Sequence, residues 1–354
     1  MSRDHAVFGP DTLMECVARF PVPDRYWVGF SGGADSTALL LALHEITDRL
    51  KAPVHAVHFD HGLQARSPDW AEHCRSFCEK RSIPFLSRTL DLGQKSDANV
   101  EEQARDARYR EVGRILGERE MYLTAHHADD QAETLFLNLM RGSGVEGLAG
   151  IPAIRTLGGG WVARPLLDFG RGELTAFLEE THTGWLEDPS NAESVFDRNY
   201  LRNEIFPLLE ERWPGVTNRL TRTARNARIS ATALAAFIER QSGDLLGDRI
   251  RMPLQKLLEF DRDMQSLVLR QWLRRHEVPA LPASRLEEFL AQLSLTQADT
   301  RADTQAEVQW GDWMIKRYRQ ELWLHRRSPY HPGAQSAWTR GMEIGLGPDS
   351  GVYR

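Results

Sequence analysis

The segment Ser31-Gly32-Gly33-Ala34-Asp35-Ser36 separates two apolar runs, Tyr26 to Phe30 and Thr37 to Leu43. This pattern predicts a strand, a glycine-rich turn and the start of a helix. Such a turn binds anions with its backbone alone. Glycines let the chain turn tightly and approach a ligand, and the first helical amides have no intrahelical partners. The helix dipole adds positive potential, so a phosphate is the natural occupant. Ser31 and Ser36 add hydroxyl donors. A carboxylate beside phosphates repels them unless a cation lies between, so Asp35 is expected to be a ligand of Mg²⁺. A Gly-Gly pair by itself is an ordinary capped turn, whereas the whole string between strand and helix points to a nucleotide. No Gly-Lys-Ser/Thr follows, so this is not a Walker A loop.

Two more polar clusters follow apolar runs. One is Asp60-His61-Gly62, with Arg66 and Ser67 nearby; the other is His126-His127-Ala128-Asp129-Asp130-Gln131-Ala132-Glu133-Thr134. Each alone fits capping and turn chemistry. Asp130 and Glu133 stand three apart on a predicted helix and share a face. Asp129 cannot point the same way, and a helix cap is its expected role. Either His126 or His127 is a candidate for nucleotide contact or proton transfer, and a packed histidine is the plainer alternative for both.

These clusters need a frame that gathers them. Strands are expected at 26–30, 53–59, 84–90 and 121–125, with helices at 36–50, 69–81, 100–120 and 128–141. The alternation predicts an α/β fold, a doubly wound parallel sheet covered on both faces. Ligands in such folds sit at the carboxyl ends of the strands, where all three clusters fall. A last strand or hairpin is expected at 158–167. Helical sequence then dominates at 171–180, 198–211, 217–241, 252–275 and 284–293, and a closing hairpin spans 308–315 and 320–325. The expected division is a first domain over 1–215, a helical linker over 216–247, a mostly helical substrate-binding domain over 248–327, and a Pro- and Gly-rich tail over 328–354.

The chain has 354 residues, 41% hydrophobic and 27% charged, an ordinary globular composition. No run has the length of a membrane span and no signal-peptide pattern is present, so a cytoplasmic protein without a membrane partner is expected. Three cysteines, an odd count, fit a reducing compartment. Cys74 and Cys78, four apart, read as half-buried thiols or, less simply, as a metal pair. A net charge of −6 does not mark a nucleic-acid binder. The distribution is more telling: Arg212, Arg219, Arg222, Arg225 and Arg228 lie in a run without one acidic residue. A solvated helix face normally mixes signs, and a single-signed one suits phosphates.

In order along the chain stand SGGADS, DHGL (Asp60 to Leu63), AHHADDQAET (Ala125 to Thr134), RGSGVEGLAG (Arg141 to Gly150), RPLL (Arg164 to Leu167), and Glu187 to Asn191 with Phe196, Arg198 and Asn199. The first resembles the PP-loop, the pyrophosphate-binding signature of the N-type ATP pyrophosphatases. The series, over roughly residues 24–325, resembles the tRNA(Ile)-lysidine synthase family.

That resemblance implies ATP and Mg²⁺ as requirements, with free L-lysine and the tRNA(Ile) bearing a CAU anticodon as the other substrates. ATP adenylates O2 of the wobble cytidine; the lysine ε-amine then attacks C2 and expels AMP. It implies that Ser31, Gly32, Gly33, Ala34, Asp35 and Ser36 bind ATP or its pyrophosphate. Asp130 and Glu133 take the lysine. Arg105 or Arg108, with Arg105 preferred, stabilises phosphate charge, although nearby acids make a salt-bridged helix surface the alternative. His127 joins Asp35 and these arginines as a catalytic candidate. Arg141, Arg198, Arg202, Arg219, Arg222 and Arg225 are expected near the tRNA, with plain helix surface as the alternative. Gly142 to Gly147 is formally GxGxxG but follows a helix, so a Rossmann reading fails. Longer members carry a further C-terminal domain, of which the tail is the expected remnant. Oligomeric state stays open, a homodimer among the options. Two rivals remain. A tRNA sulfurtransferase of the same superfamily would want a Cys-x-x-Cys pair, which is missing. A regulatory nucleotide-binding module would need neither the acidic pair nor the arginine run.

Overall fold

Strand β1 (Arg25–Gly29) explains the sheet in miniature. Tyr26 and Val28 are buried in one apolar cluster and Trp27 in another. A strand covered on both faces requires that alternation. Gly29 shares the Trp27 face, where an added Cβ would lie 2.3 Å from the Tyr122 hydroxyl. The computed structural model describes residues 7–60, 67–91, 100–187, 197–297 and 306–326, with the backbone pairs 344–345 and 352–353. Of the expected site segments, 61–66 and 188–196 lie outside the described residues, as does most of the tail. The chain forms two units, residues 1–232 and 233–354.

The first unit opens with α1 (Pro10–Val17), a helix not expected from sequence, and β1. Then come α2 (Ala34–Glu45), β2 (Val54–Asp60), α3 (Ser67–Glu79), β3 (Phe85–Thr89), α4 (Val100–Ile115), β4 (Glu120–Leu123), α5 (Ala128–Met140) and α6 (Val145–Leu148). The hairpin β5 (Ile154–Leu157) and β6 (Gly160–Ala163) precedes α7 (Arg171–Glu180), α8 (Asp197–Tyr200), α9 (Phe206–Arg212) and α10 (Val216–Ser242). The sheet order is β3-β2-β1-β4-β6-β5. Every neighbouring pair is parallel except β5–β6. The expected last strand is thus an antiparallel edge hairpin. The helix expected over 198–211 is interrupted by a π-type turn, Leu201–Ile205, before α9 begins at Phe206 with Pro207 in its first turn.

Strand order reverses between β1 and β4. A crevice opens at such a switch point, beyond the carboxyl ends of the two strands. SGGADS follows β1 and the His126–Thr134 cluster starts after β4, so the topology sets them side by side. Helix α2 is buried nearly all round, from Ala34 to Leu43 apart from Asp35, and packs on α1 and α7. That fixes its N-terminus firmly in the crevice.

The second unit holds the end of α10, then β7 (Arg251–Pro253), α11 (Leu254–Leu258), α12 (Arg262–Arg275) and α13 (Ala283–Gln297). Strands β8 (Glu307–Trp310), β9 (Trp313–Tyr318) and β10 (Glu321–Arg326) complete an antiparallel sheet, β7-β10-β9-β8. A two-residue pair, β11 (Ile344–Gly345) and β12 (Val352–Tyr353), ends the described chain. Helix was expected from Met252 onward. Instead Met252 pairs with Leu322, and both are fully buried. Pro253 is tolerated because β7 is an edge strand. Among the described residues no helix is long and apolar enough to cross a membrane.

Candidate active site

The turn after β1 is held by its own serines. Ser36 Oγ accepts from the Ser31 amide at 3.2 Å, lies 3.0 Å from Ser31 Oγ, and donates to the Gly33 carbonyl at 3.0 Å. Gly32 has φ +83°, and an added Cβ would come within 3.1 Å of Cys74 Sγ and Leu186. Both backbone conformation and space therefore demand glycine. The Gly32 carbonyl also accepts from the Leu186 amide at 2.8 Å.

Asp35, one residue into α2, faces His127 across the crevice. His127 Nε2 lies 3.5 Å from Asp35 Oδ2 and 3.5 Å from Asp130 Oδ2, and Nδ1 lies 3.2 Å from Asp129 Oδ2. The last contact has ion-pair distance without hydrogen-bond alignment. Burial works against charge on the ring, yet Asp130, Asp129 and Asp35 outweigh it, raising its pKa to about 10. The three carboxylates thus favour the charged imidazolium of His127 at the centre of the crevice. Asp129 also accepts from the Arg171 amide at 2.9 Å, capping α7. The cap expected of Asp129 exists, on a neighbouring helix. His126 differs. Burial, with Arg164, Arg105 and Arg198 nearby, outweighs Asp130 and drives it down to about 3. It stays neutral, 2.7 Å from Thr124 Oγ1 through Nδ1.

Asp130 and Glu133 do share a face, and a side chain expected at the tRNA meets them there. Arg202 donates from Nε to Glu133 Oε1 at 2.8 Å and from Nη2 to Oε2 at 3.1 Å. The same Nη2 is 3.5 Å from Asp130 Oδ1. Arg202 is thus turned into the crevice, because a buried carboxylate demands a charged partner. Burial raises the Glu133 pKa above its ordinary value, with Arg202 opposing. Burial acts likewise on Asp130, but His127 wins and its pKa falls. Arg198 donates to Thr134 Oγ1 at 3.1 Å and flanks the pair.

The remaining arginines divide. Arg105 is exposed on α4, 5.6 Å from the centroid of the Tyr109 ring; Arg108 is half-buried and acts on Tyr122. Arg141, Arg219, Arg222 and Arg225 are exposed. Arg228, from the same basic run, turns inward to the carbonyls of Ala149 (2.6 Å) and Ile151. Arg164 was not expected as a site residue, although it heads the RPLL motif. It is 3% exposed and donates to the Pro152 carbonyl at 2.7 Å and to Tyr109 Oη at 3.2 Å. Cys74 and Cys78 are fully buried rather than half-buried, and burial lifts both thiols to about 12. They are packing residues.

Asp35 Oδ1 is buried and has no hydrogen-bond partner. An orphaned carboxylate oxygen at a phosphate-binding turn fits Mg²⁺. No described group of three His, Cys, Asp or Glu side chains could hold a metal alone. That suits an ion held by one carboxylate with phosphates and water.

Fold and crevice define an α/β nucleotide-binding protein with a phosphate loop at its switch point, and comparison with known proteins agrees. A PP-loop domain model matches residues 12–209, and a TilS substrate binding domain model matches 252–323. The chain is 35% identical over 312 residues to a tRNA(Ile)-lysidine synthase of Legionella pneumophila strain Lens, covering 88% of this chain and 70% of that one. It is 36% identical over 353 residues to one of Alkalilimnicola ehrlichii, covering 98% and 77%. A U34-tRNA thiolase from Methanococcus maripaludis, 18% identical, shares the fold at a TM-score of 0.50, covering 61% of this chain and 77% of that one. The chain belongs to the tRNA(Ile)-lysidine synthase family.

Proposed function

We propose that this protein joins free L-lysine to C2 of the wobble cytidine of the tRNA(Ile) bearing CAU, using ATP, in the cytoplasm. Cytidine O2 attacks the α-phosphorus and the bond to pyrophosphate breaks. The lysine ε-amine then attacks C2, the C2–O2 bond breaks, AMP leaves and the amine loses a proton. The products are lysidine, AMP and pyrophosphate.

One observation carries this reading. His127 ties Asp35, on the phosphate loop, to Asp130, and Arg202 ties Asp130 to Glu133. A nucleotide site and an anionic amine pocket are therefore contiguous. The amides and hydroxyls of Ser31 to Ser36 hold the leaving pyrophosphate. Mg²⁺, when bound at Asp35, supplies neutralisation of phosphate charge. Arg202 now occupies the place of a lysine ammonium, which replaces or displaces it. Asp130, held ionised, attracts the ammonium. Glu133, with its raised pKa, is the better proton acceptor of the two. Arg105 or Arg108 stabilises phosphate charge at the active site, and Arg141, Arg198, Arg219, Arg222 and Arg225 approach the RNA.

The test incubates protein, ATP, labelled lysine and the CAU-bearing tRNA(Ile). Label is expected in the tRNA, with pyrophosphate released only when both lysine and tRNA are present. Equal ATP consumption without either one overturns the reading.

A further inference from the structure

A second cavity, of about 940 Å³, opens in the first unit on the other flank of α5, where Gln131 lines it. None of residues 31–36 does so. Its walls carry Arg19, Arg164, Arg219, Arg222, Arg225 and Arg228 against two carboxylates, Glu15 and Asp168. Asp168 is already paired with Arg19 at 3.1 Å. Arg164 and Arg228 have no carboxylate within ion-pair distance among the described residues. Both spend their donors on carbonyls of the turn at 149–152, apart from the Arg164 bond to Tyr109. Arg164 Nε is buried with no partner at all.

Gripping a turn needs donors but not two unbalanced charges. Burying unpaired guanidinium charge is costly, and neutral donors would serve carbonyls without that cost. Burial lowers the pKa of both guanidinium groups; Arg155 and Arg105 add to the positive field on Arg164, and Arg164 adds to that on Arg228, with Asp168 in opposition. The wall thus sets six guanidinium groups against two carboxylates, one of them already paired. At its rim, Arg219, Arg222 and Arg225 repeat every third residue along an exposed helix face with no acid among them. A basic cavity continued by a basic track suits a polyanion better than a small free ion.

We propose that this cavity is a second phosphate site, separate from the glycine-rich loop, that takes a backbone phosphate of the RNA substrate between Arg164 and Arg228 at its base and Arg222 and Arg225 at its rim. The proposal rests on the tRNA reading above and assigns part of the tRNA grip to a surface away from the reacting atoms.

The experiment measures binding of the fluorescently labelled CAU-bearing tRNA across a series of KCl concentrations. It compares the full chain with Arg228→Gln, Arg228→Lys and the double variant Arg222→Gln/Arg225→Gln. Arg228→Gln is expected to weaken binding about tenfold at low salt and to reduce the slope of log affinity against log salt by about one. Arg228→Lys keeps the charge and the wild-type slope. The double variant loses about two from the slope. ATP affinity stays unchanged throughout, because the nucleotide loop is untouched. Should Arg228→Gln fail to fold, the exposed rim pair decides alone. Wild-type binding with unaltered slopes in the variants overturns this proposal and leaves the tRNA reading standing. Absence of salt-dependent tRNA binding by the wild type overturns both.

Discussion

Replacing His127 by Gln tests the centre of the crevice. In the wild type one imidazolium, its side chain 2% exposed, faces Asp35, Asp129 and Asp130 within 3.5 Å. Its proton affinity rises from a free value of 6.5 to about 10. At about 1.4 kcal/mol for each tenfold change, the ceiling on its contribution is about 5 kcal/mol. Relaxation and water entry reduce this, so a loss of about 3 kcal/mol at pH 6 is the expected cost in His127→Gln. The sign follows from linkage. A group whose folded value is raised contributes fully below its unfolded value and loses that contribution as pH climbs through the folded one. Wild-type stability should therefore contain a component that is complete below pH 6.5, declines steadily above it, and is gone beyond about pH 10. Urea unfolding at pH 6, 8 and 9.5, with the variant alongside, measures it. The gap between the two proteins should shrink with rising pH. A gap that is constant, or grows, would mean that the ring is neutral in the folded protein and that the clamp is wrongly read.

Asp35→Ala removes the orphaned oxygen and the partner of His127; it should abolish pyrophosphate release while tRNA binding persists, and retained turnover in a coupled pyrophosphate assay would refute its role. Glu133→Gln should raise the KM for lysine at least tenfold and flatten the pH profile of lysine transfer, since the better proton acceptor is gone; an unchanged KM places the amine elsewhere. In the second unit, Trp272 is fully buried and donates to the Asp248 carbonyl at 2.7 Å. Trp272→Ala should cost about 3–5 kcal/mol, read by urea unfolding, and a loss under about 1 kcal/mol would show that this core repacks freely.

Local patterns carried far in this chain. The β1 turn, its helix and the following strands were readable because their signals sit within a few residues: an apolar run from Tyr26 to Phe30, glycines at 32 and 33, a second apolar run from Thr37. The shared face of Asp130 and Glu133 follows from helical spacing alone. Other elements were not readable. Met252 and Pro253 fall within the helix expected over 252–275, and only pairing with β10, far along the chain, makes Arg251–Pro253 a strand. The turn Leu201–Ile205 swings Arg202 toward Glu133 across 69 residues of sequence.

By itself, the sequence determined that a phosphate loop, an acidic helix face and a single-signed arginine run exist, since each depends on neighbours in the chain. Which of these charges meet was decided only in three dimensions. The switch between β1 and β4 sets Asp35 against His127, the carboxylates of Asp130, Asp129 and Asp35 favour charge on that histidine against its burial, and Arg202 and Arg228 leave the surface to which composition would assign them. Charge pairing and desolvation depend on distance and on water excluded by the whole fold, and neither is written in the spacing of residues along the chain.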